Sequence, residues 1–196
     1  MLHVLAGEFK SRILKTPTDD AITRPMGSRT KEGLFNVLRG WFEGSRVLDL
    51  FAGVGTLGLE AVSRVAIKVF MVEKDRKIFA LLRDNIESLG CGDRAIAVQA
   101  DALGEAAIMA AQPEVNVVLM DPPFALVETE EGLKEVLDQA ARTRVLFLGK
   151  GFLVIRLPKV SDPPPTIAGF DGPEIREYGN QQNVLLYMPH FESPSA

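Results

Sequence analysis

The sequence predicts an α/β fold built on a doubly wound, mostly parallel sheet of seven strands. Strand-like and helix-like segments alternate without interruption from residue 46 to residue 157. The first of these strands runs into a glycine-rich turn, which is typical of strand-to-helix connections in open parallel sheets. Two strand-like segments after residue 173 have no helix between them, which indicates an antiparallel hairpin at one edge of the sheet.

Each element is predicted from its hydrophobic period and its end signals. Five strands are expected at 46–51, 67–73, 95–100, 115–120 and 152–157, with a final antiparallel pair at 174–179 and 183–188. Helices are expected at 56–64, 75–90, 102–111 and 131–142. A further helix is expected before the first strand, where apolar residues recur at helical spacing, namely Leu34, Phe35, Leu38 and Trp41. Residues 2–15 alternate loosely and predict a small N-terminal β-hairpin.

Length and composition indicate one main domain. The 196 residues divide by prediction into an N-terminal hairpin and loop, residues 1–28, and a main domain, residues 29–196. With one cysteine and two histidines near opposite ends of the chain, no metal site is expected. No signal peptide or bilayer-spanning run is apparent, so we expect a cytoplasmic protein that does not associate with membranes.

Charge is distributed unevenly along the chain. The net charge is −4, but residues 1–31 carry six basic side chains against three acidic ones. A basic N-terminal arm on an acidic body is suited to a phosphate backbone, although an accidental surface excess would look the same.

The glycine-rich turn has the spacing G-x-G-x-x-G. Gly53, Gly55 and Gly58 stand between a predicted strand and a predicted helix, and Glu73 closes the next strand. Such glycines let a ligand approach the backbone, and an acid at that position accepts hydrogen bonds from ribose hydroxyls. A nicotinamide cofactor and a plain β–α turn both remain possible interpretations of this motif alone.

Acidic residues stand at or next to the ends of four successive predicted strands. Asp49 lies at the end of the first strand, Glu73 and Asp101 end the next two, and Asp121 follows the fourth. Asp49 beside the glycine turn favours a cationic ligand group, such as the ammonium of an amino acid, and would repel a pyrophosphate. Asp101 is placed to accept a hydrogen bond from an adenine amino group. Because the carboxyl ends of parallel strands meet at one edge, these acids predict a ligand site there.

The stretch "MDPPFA" (120–125) ends the fourth predicted strand. Asp-Pro-Pro occurs again at 162–164, so the tripeptide alone indicates only a turn. Taken with "VLDLFAGVGTLGLEAVSR", Glu73 and Asp101, however, "DPPF" resembles a class I S-adenosylmethionine-dependent methyltransferase that acts on an exocyclic amine. The segments "TRPMGSRTKEGLFNVL" and "REYGNQQNVLLYMP" make nearly the whole chain similar to the bacterial RsmD family, which methylates N2 of a guanine in 16S ribosomal RNA.

The resemblance implies a Rossmann-like class I methyltransferase domain and a set of site residues. It implies S-adenosyl-L-methionine as the cofactor and ribosomal RNA, within an assembled or assembling small subunit, as the partner of a monomeric enzyme. Amine positioning and base stacking would fall to Asp121, Pro122 and Phe124. Cofactor binding is expected at Asp49, Phe51, Gly53, Gly55, Glu73, Lys74, Asp101, Ala102, Arg24 and Pro25. RNA contacts are expected at Lys10, Arg12, Arg29 and Lys31.

The chain departs from the family pattern at four positions. Ser28 stands where an aspartate is usual, Val54 replaces a serine or threonine, and Val65 replaces a glycine. Arg156 ends the fifth strand where an acid is frequent.

Three alternatives remain on the sequence alone. An adenine-N6 methyltransferase acting on DNA or RNA would use the same "DPPF" motif, although a chain of this length has little room for a large DNA-recognition domain. An NAD-dependent oxidoreductase would need a catalytic Tyr, Lys or His near the nicotinamide, and the middle of the chain has neither His nor Tyr. A binding module that had lost catalysis would not need Asp121 and Phe124.

Overall fold

A computed structural model describes residues 2–18, 26–111, 114–158, 164–178 and 182–191. Seven strands form one sheet, namely β1 (Arg46–Leu50), β2 (Lys68–Glu73), β3 (Ala95–Gln99), β4 (Val117–Met120), β5 (Phe152–Pro158), β6 (Phe170–Tyr178) and β7 (Gln182–Pro189). Their order in the sheet is β3-β2-β1-β4-β5-β7-β6. The first five strands pair in parallel, and β7 pairs antiparallel with both β5 and β6. The predicted doubly wound sheet with an antiparallel C-terminal pair is therefore confirmed.

Helices cover both faces of this sheet, as buried parallel strands require. The α-helices are α1 (Ser28–Val37), α2 (Gly58–Ser63), α3 (Arg76–Leu89), α4 (Glu105–Ala110), α5 (Phe124–Val127) and α6 (Glu130–Arg142). One hydrophobic cluster joins a sheet face to α1, α2 and α3, and a second joins the other face to α4, α5 and α6. The short α5 and a 3₁₀ helix at Thr143–Leu146 are additions that the hydrophobic pattern did not predict.

Local end signals account for the bounds of the longest helix, α3. The Asp75 side chain accepts hydrogen bonds from the backbone N–H groups of Lys77 and Ile78, which have no partner within the helix. Gly90 ends the helix in the left-handed conformation at φ 64°, as its position in the sequence predicted.

The N-terminal segment forms the predicted hairpin, although its only ladder pair is a bridge between His3 and Ile13. Val4 and Leu14 on this hairpin are buried in the same cluster as α1 and α2. The hairpin is thus part of the core on that face, while the domain division at residue 28 stays a prediction. None of the helices in the described ranges combines the length and apolar character that a membrane span needs.

Strand order reverses between β1 and β4, which lie side by side at the centre of the sheet. From β1 the chain winds outward to β2 and β3, and from β4 it winds the other way to β5. Open α/β sheets bind their ligands in the crevice that this reversal leaves at the carboxyl ends of the strands. The fold therefore places Asp49 and Glu73, at the ends of β1 and β2, and Asp121, just after β4, around that crevice.

Val65 has a left-handed backbone at φ 64° just after α2. A β-branched residue is strained there, and its side chain is 41% exposed, so it gains little from packing. Val65→Gly is expected to raise the free energy of unfolding by about 0.5–1 kcal/mol in urea denaturation, after allowance for the greater entropy of unfolded glycine. The control, Val37→Gly within α1, should lower it by about 1 kcal/mol. A destabilising Val65→Gly would contradict the assignment of strain.

Candidate active site

Three carboxylates lie close together at the crevice. Asp49 is buried at the end of β1, Glu73 is the last residue of β2, and Asp121 follows β4 directly. The charges of Asp121 and Glu73 both raise the pKa of Asp49, although burial is the larger cause of that rise. The structure thus brings together three of the four predicted acids, from three neighbouring strands.

Asp49 has one satisfied oxygen and one without a partner. Its Oδ2 accepts a hydrogen bond of 2.8 Å from the backbone N–H of Gly58, at the start of α2. Its Oδ1 is buried and meets no hydrogen-bond donor in the described ranges. A buried carboxylate oxygen left in this state is costly, so the geometry suits a ligand that brings its own donor. An ammonium group would satisfy the oxygen and offset the negative charge.

The three glycines of the turn have different structural roles. A Cβ on Gly58 would lie 2.5 Å from Met71 and 3.0 Å from Asp49 Oδ2, so this glycine permits close packing of helix on strand. A Cβ on Gly55 would lie 2.7 Å from Leu82, and the φ of 90° at Gly55 itself favours glycine. Gly53, at φ 57°, faces open space. Gly53 is consequently the glycine of the turn at which a ligand can approach the backbone.

Glu73 ties the glycine turn to the next strand. Its Oε2 accepts from the backbone N–H of Gly53 at 3.0 Å, and its Oε1 accepts from that of Asp75 at 2.6 Å. Each carboxylate oxygen has a second lone pair, so both remain able to accept from a diol. Phe51, at φ 64°, begins this turn and is half-buried.

Asp101 lies in a looser environment than the other three acids. It follows the end of β3 by two residues, and its Oδ1 accepts from the backbone N–H of Leu103. Its Oδ2 lies 3.4 Å from Lys74 Nζ, in a pair with both side chains largely exposed. The adjacent Ala102 is buried, and its carbonyl accepts a 2.7 Å hydrogen bond from Gln139 of α6. These contacts leave Asp101 and Lys74 accessible at the rim.

The Asp-Pro-Pro-Phe segment turns sharply from β4 into α5. Pro122 is buried, and Pro123 with φ −54° stands at the helix start, where proline is well tolerated. Phe124 is the first residue of α5 and remains half-buried. The two prolines hold the Asp121 carboxylate and the Phe124 ring on a stiff, short connection.

Arg156 of β5 contacts both ends of this segment. Its Nε donates a hydrogen bond to Asp121 Oδ1, and its guanidinium carbon lies 4.5 Å from the centroid of the Phe124 ring. Its Nη1 donates to Gln182 Oε1 of β7 at 3.1 Å, and Gln182 Nε2 in turn donates to Thr30 Oγ1 of α1 at 3.0 Å. The sequence prediction omitted Arg156 from the site, although its replacement of a frequent acid was a signal.

The ionisation of Asp121 reflects two opposing effects. Burial raises the pKa of Asp121 above its usual range, whereas the charge and hydrogen bond of Arg156 lower it. The backbone N–H of Met26 also lowers this pKa by hydrogen bonding. The carboxylate is therefore held by donors from two other parts of the chain.

Lys31 was predicted to contact RNA, and that prediction is wrong. The side chain is buried, and its Nζ lies 3.1 Å from Oε2 of the buried Glu60 of α2. Nζ also donates to the carbonyls of His3 and Thr56. The helical position of Lys31 turns inward because Glu60 supplies an internal counter-charge, so the ammonium is not available to a phosphate.

The other predicted RNA contacts are exposed. Lys10 and Arg12 lie on the hairpin, and Arg29 lies in the first turn of α1. Arg12 also donates to the carbonyl of Ser88 at 2.6 Å, which ties the hairpin to α3. Arg24 and Pro25 lie outside the described residues, so their predicted cofactor contact stays a prediction.

Comparison with known proteins gives the same picture along nearly the whole chain. The model of a family described as "conserved hypothetical protein 95" matches residues 2–187. The ribosomal RNA small subunit methyltransferase D of Haemophilus influenzae is 35% identical over 137 residues, which cover 67% of this chain and 68% of that protein.

Solved structures share the fold. The yhhF protein of Escherichia coli superposes with a TM-score of 0.80 at 28% identity, over 96% of this chain and 97% of that chain. An RNA methyltransferase of Salinibacter ruber, in complex with S-adenosyl-L-homocysteine, gives a TM-score of 0.62 at 14% identity, over 88% of this chain and 98% of that one. The latter likeness concerns the fold alone. With the family match over residues 2–187, these findings place the chain in the RsmD family of methyltransferases.

Proposed function

We propose that this protein transfers a methyl group from S-adenosyl-L-methionine to the exocyclic N2 amine of a guanine in small-subunit (16S) ribosomal RNA. The observation that carries the proposal is the juxtaposition of two sites at one crevice. A buried carboxylate oxygen of Asp49 in β1 has no hydrogen-bond donor in the described ranges and suits a cationic ligand group. The Asp121 carboxylate and the Phe124 ring lie in the segment that follows the adjacent strand, β4. The Haemophilus relative, which bears the name of a small-subunit ribosomal RNA methyltransferase, supports the choice of RNA.

The residues around β1, β2 and β3 fit this cofactor. S-adenosylmethionine supplies an electrophilic methyl group on a sulfonium, together with an ammonium, a ribose diol and an adenine amine. Asp49 Oδ1 would accept from the ammonium, Glu73 from the diol and Asp101 from the adenine amine, with Gly53 leaving the backbone open. Phe51, Gly55, Lys74 and Ala102 would line the same cleft. The Salinibacter complex supports the capacity of this fold to hold the demethylated product.

The Asp-Pro-Pro-Phe segment supplies what an amine substrate needs. The lone pair of a guanine amine is delocalised into the ring, and methylation requires it to localise on nitrogen. Two acceptors aimed at the two N–H bonds favour that state, and the Asp121 carboxylate and Pro122 carbonyl would serve. The Phe124 ring would stack on the base, which contributes about 1–3 kcal/mol in single-stranded sites. Positioning would then account for most of the catalysis.

The nucleic-acid contacts would come from the N-terminal part of the chain. The target base would leave its stack to reach the Asp121 carboxylate, and exposed cations near the crevice would hold the flanking phosphates. Arg29 follows the Met26 backbone that contacts Asp121, so it lies near the site, while Lys10 and Arg12 extend the basic surface along the hairpin. We expect the enzyme to act as a cytoplasmic monomer on an assembled or assembling subunit.

An NAD-dependent reaction fits less well. The buried, unpaired Asp49 oxygen would face a cofactor pyrophosphate, and its negative charge would repel that group. Calorimetry should therefore show binding of S-adenosylmethionine or its demethylated product and none of NAD.

Radiolabelled methyl transfer tests the proposed activity. Small ribosomal subunits that lack their native methylation are incubated with the protein and labelled S-adenosylmethionine, and the digested nucleosides are identified by mass spectrometry. We expect label in N2-methylguanosine, with naked 16S RNA as the comparison substrate. Label in N6-methyladenosine would replace guanine by adenine as the target, and binding of NAD in place of S-adenosylmethionine would overturn the proposal.

A further inference from the structure

Arg156 forms the central charged contact of the proposed amine site. The Arg156 and Asp121 side chains are 8% and 13% exposed, so water screens their ion pair only weakly. Removing one partner of such an ion pair strongly destabilises the folded protein, because the other charge stays buried without a counter-charge. The pair joins the end of β5 to the residue that follows β4.

Two other side chains contact the guanidinium, and one of them is held in turn by a third. The Phe124 ring of α5 lies against its face, Gln182 of β7 accepts from Nη1, and Thr30 of α1 accepts from Gln182. The planar guanidinium donates in fixed directions, so these contacts determine where it meets Asp121. A carboxylate has about four lone-pair positions, of which Arg156 uses one and the Met26 N–H another. Asp121 therefore remains able to accept from a substrate amine while it is held.

We propose that Arg156 is a positioning residue of the methyl-transfer reaction, which fixes the Asp121 carboxylate in place and in its charged form while the amine binds. This inference rests on the proposed function. A protonated Asp121 would turn a donor toward the amine, and a displaced Asp121 would be a poorly placed acceptor. Displacement of a reacting group by about 1 Å can cost about 100-fold in rate.

The charges around Asp121 give the direction of the pH effect. Arg156 of β5 favours the charged carboxylate. Asp49 of β1 is the neighbouring carboxylate, and the charge of Asp121 raises its pKa. The contacts from α5, β7 and the segment before α1, namely Phe124, Gln182 and the Met26 N–H, carry no charge. Burial already raises the pKa of Asp121, so loss of Arg156 removes a force that lowers it. Without Arg156 the pKa of Asp121 must then rise further. As the pH is lowered, the variant must therefore lose activity at a higher pH than the wild-type protein does.

The test compares Arg156→Gln and Arg156→Lys with the wild-type protein. The rate constant kcat for methyl transfer is measured against pH, and cofactor affinity by calorimetry. We expect Arg156→Gln to lower kcat up to about 100-fold and to shift the acid limb of its pH profile upward, with cofactor affinity unchanged. Arg156→Lys should keep the acid limb near its wild-type position. Arg144→Gln is the matched control, since Arg144 also lies over an aromatic ring, Phe191, but donates to backbone carbonyls.

Carbon-13 NMR of labelled aspartate measures the Asp121 carboxyl directly, with its resonance assigned by its loss in Asp121→Asn. An Asp121 pKa that rises in Arg156→Gln and stays unchanged in Arg144→Gln supports the inference even if the substrate is misidentified. The inference would be overturned if folded Arg156→Gln had the same acid limb of the kcat profile and the same Asp121 titration as the wild-type protein. Failure of the wild-type protein to methylate RNA would overturn the proposed function, independently of the titration.

Discussion

Asp121→Asn is expected to reduce methyl transfer by about 100- to 1000-fold, the range found when one preorganised polar group is removed from a reaction site. The amide nearly preserves the shape of the carboxylate but loses its charge. It can also turn a donor toward the substrate amine, where an acceptor is needed. Phe124 stays in place to stack on the base, so substrate affinity should change much less than kcat. Radiolabelled transfer at saturating RNA measures the effect.

Cofactor binding and fold provide the internal controls for this variant. Asp49 and Glu73 are untouched, so calorimetry should show S-adenosylmethionine affinity within about threefold of wild type, since the affinity depends on other contacts. Asp162, in the second Asp-Pro-Pro of the chain, lies outside the described residues, and Asp162→Asn should leave turnover unchanged. Wild-type turnover in Asp121→Asn would remove Asp121 from the mechanism.

Glu60→Ala is expected to lower the free energy of unfolding by about 3–5 kcal/mol, the cost of leaving a buried charge without its partner. The Glu60 carboxylate is fully buried and makes four polar contacts. Its Oε2 accepts from the backbone N–H of Leu5 at 2.7 Å and lies 3.1 Å from Lys31 Nζ. Its Oε1 accepts from the backbone N–H of Ala6 at 3.1 Å and from Arg64 Nε at 3.0 Å.

The consequence of this substitution extends to Lys31. Burial lowers the pKa of Lys31, and the Glu60 charge is the main force that raises it again. Without Glu60 the pKa of Lys31 must fall further, so Lys31 can stay buried only if it loses its proton. The hairpin also loses the two hydrogen bonds from Leu5 and Ala6 to Glu60. Stability lost in this way should be partly restored as pH rises, because the neutral amine is then easier to bury.

Urea denaturation at several pH values measures this second prediction. Asp138→Ala is the control, because it breaks a salt bridge of 2.5 Å to Lys134 whose two side chains are 53% and 75% exposed. Exposed pairs of this kind are worth at most about 1 kcal/mol. If Glu60→Ala cost no more than Asp138→Ala, the buried carboxylate would not be what holds the hairpin to α2.

Much of the fold was predictable because its signals are local. The hydrophobic period distinguishes strand from helix within a few residues, and Asp75 and Gly90 mark the ends of α3 through contacts with their own helix. The glycine turn was predictable for the same reason, since Gly55 requires a positive φ of 90°. The four-residue α5 was missed because two prolines precede it and it is too short to show a period.

The sequence by itself determined the alternating strands and helices, the glycine turn and the acids at the carboxyl ends of β1, β2 and β4. These depend on period, on turn chemistry and on the rule that parallel strands end at one edge. Only the tertiary structure decided that Lys31 is buried against Glu60 and that Arg156 meets Asp121 and Phe124. Arg156 and Asp121 are 35 positions apart, and they meet only because β4 and β5 are neighbours in the sheet. No local pattern encodes a pairing across that distance, whereas the packing of strands fixes it.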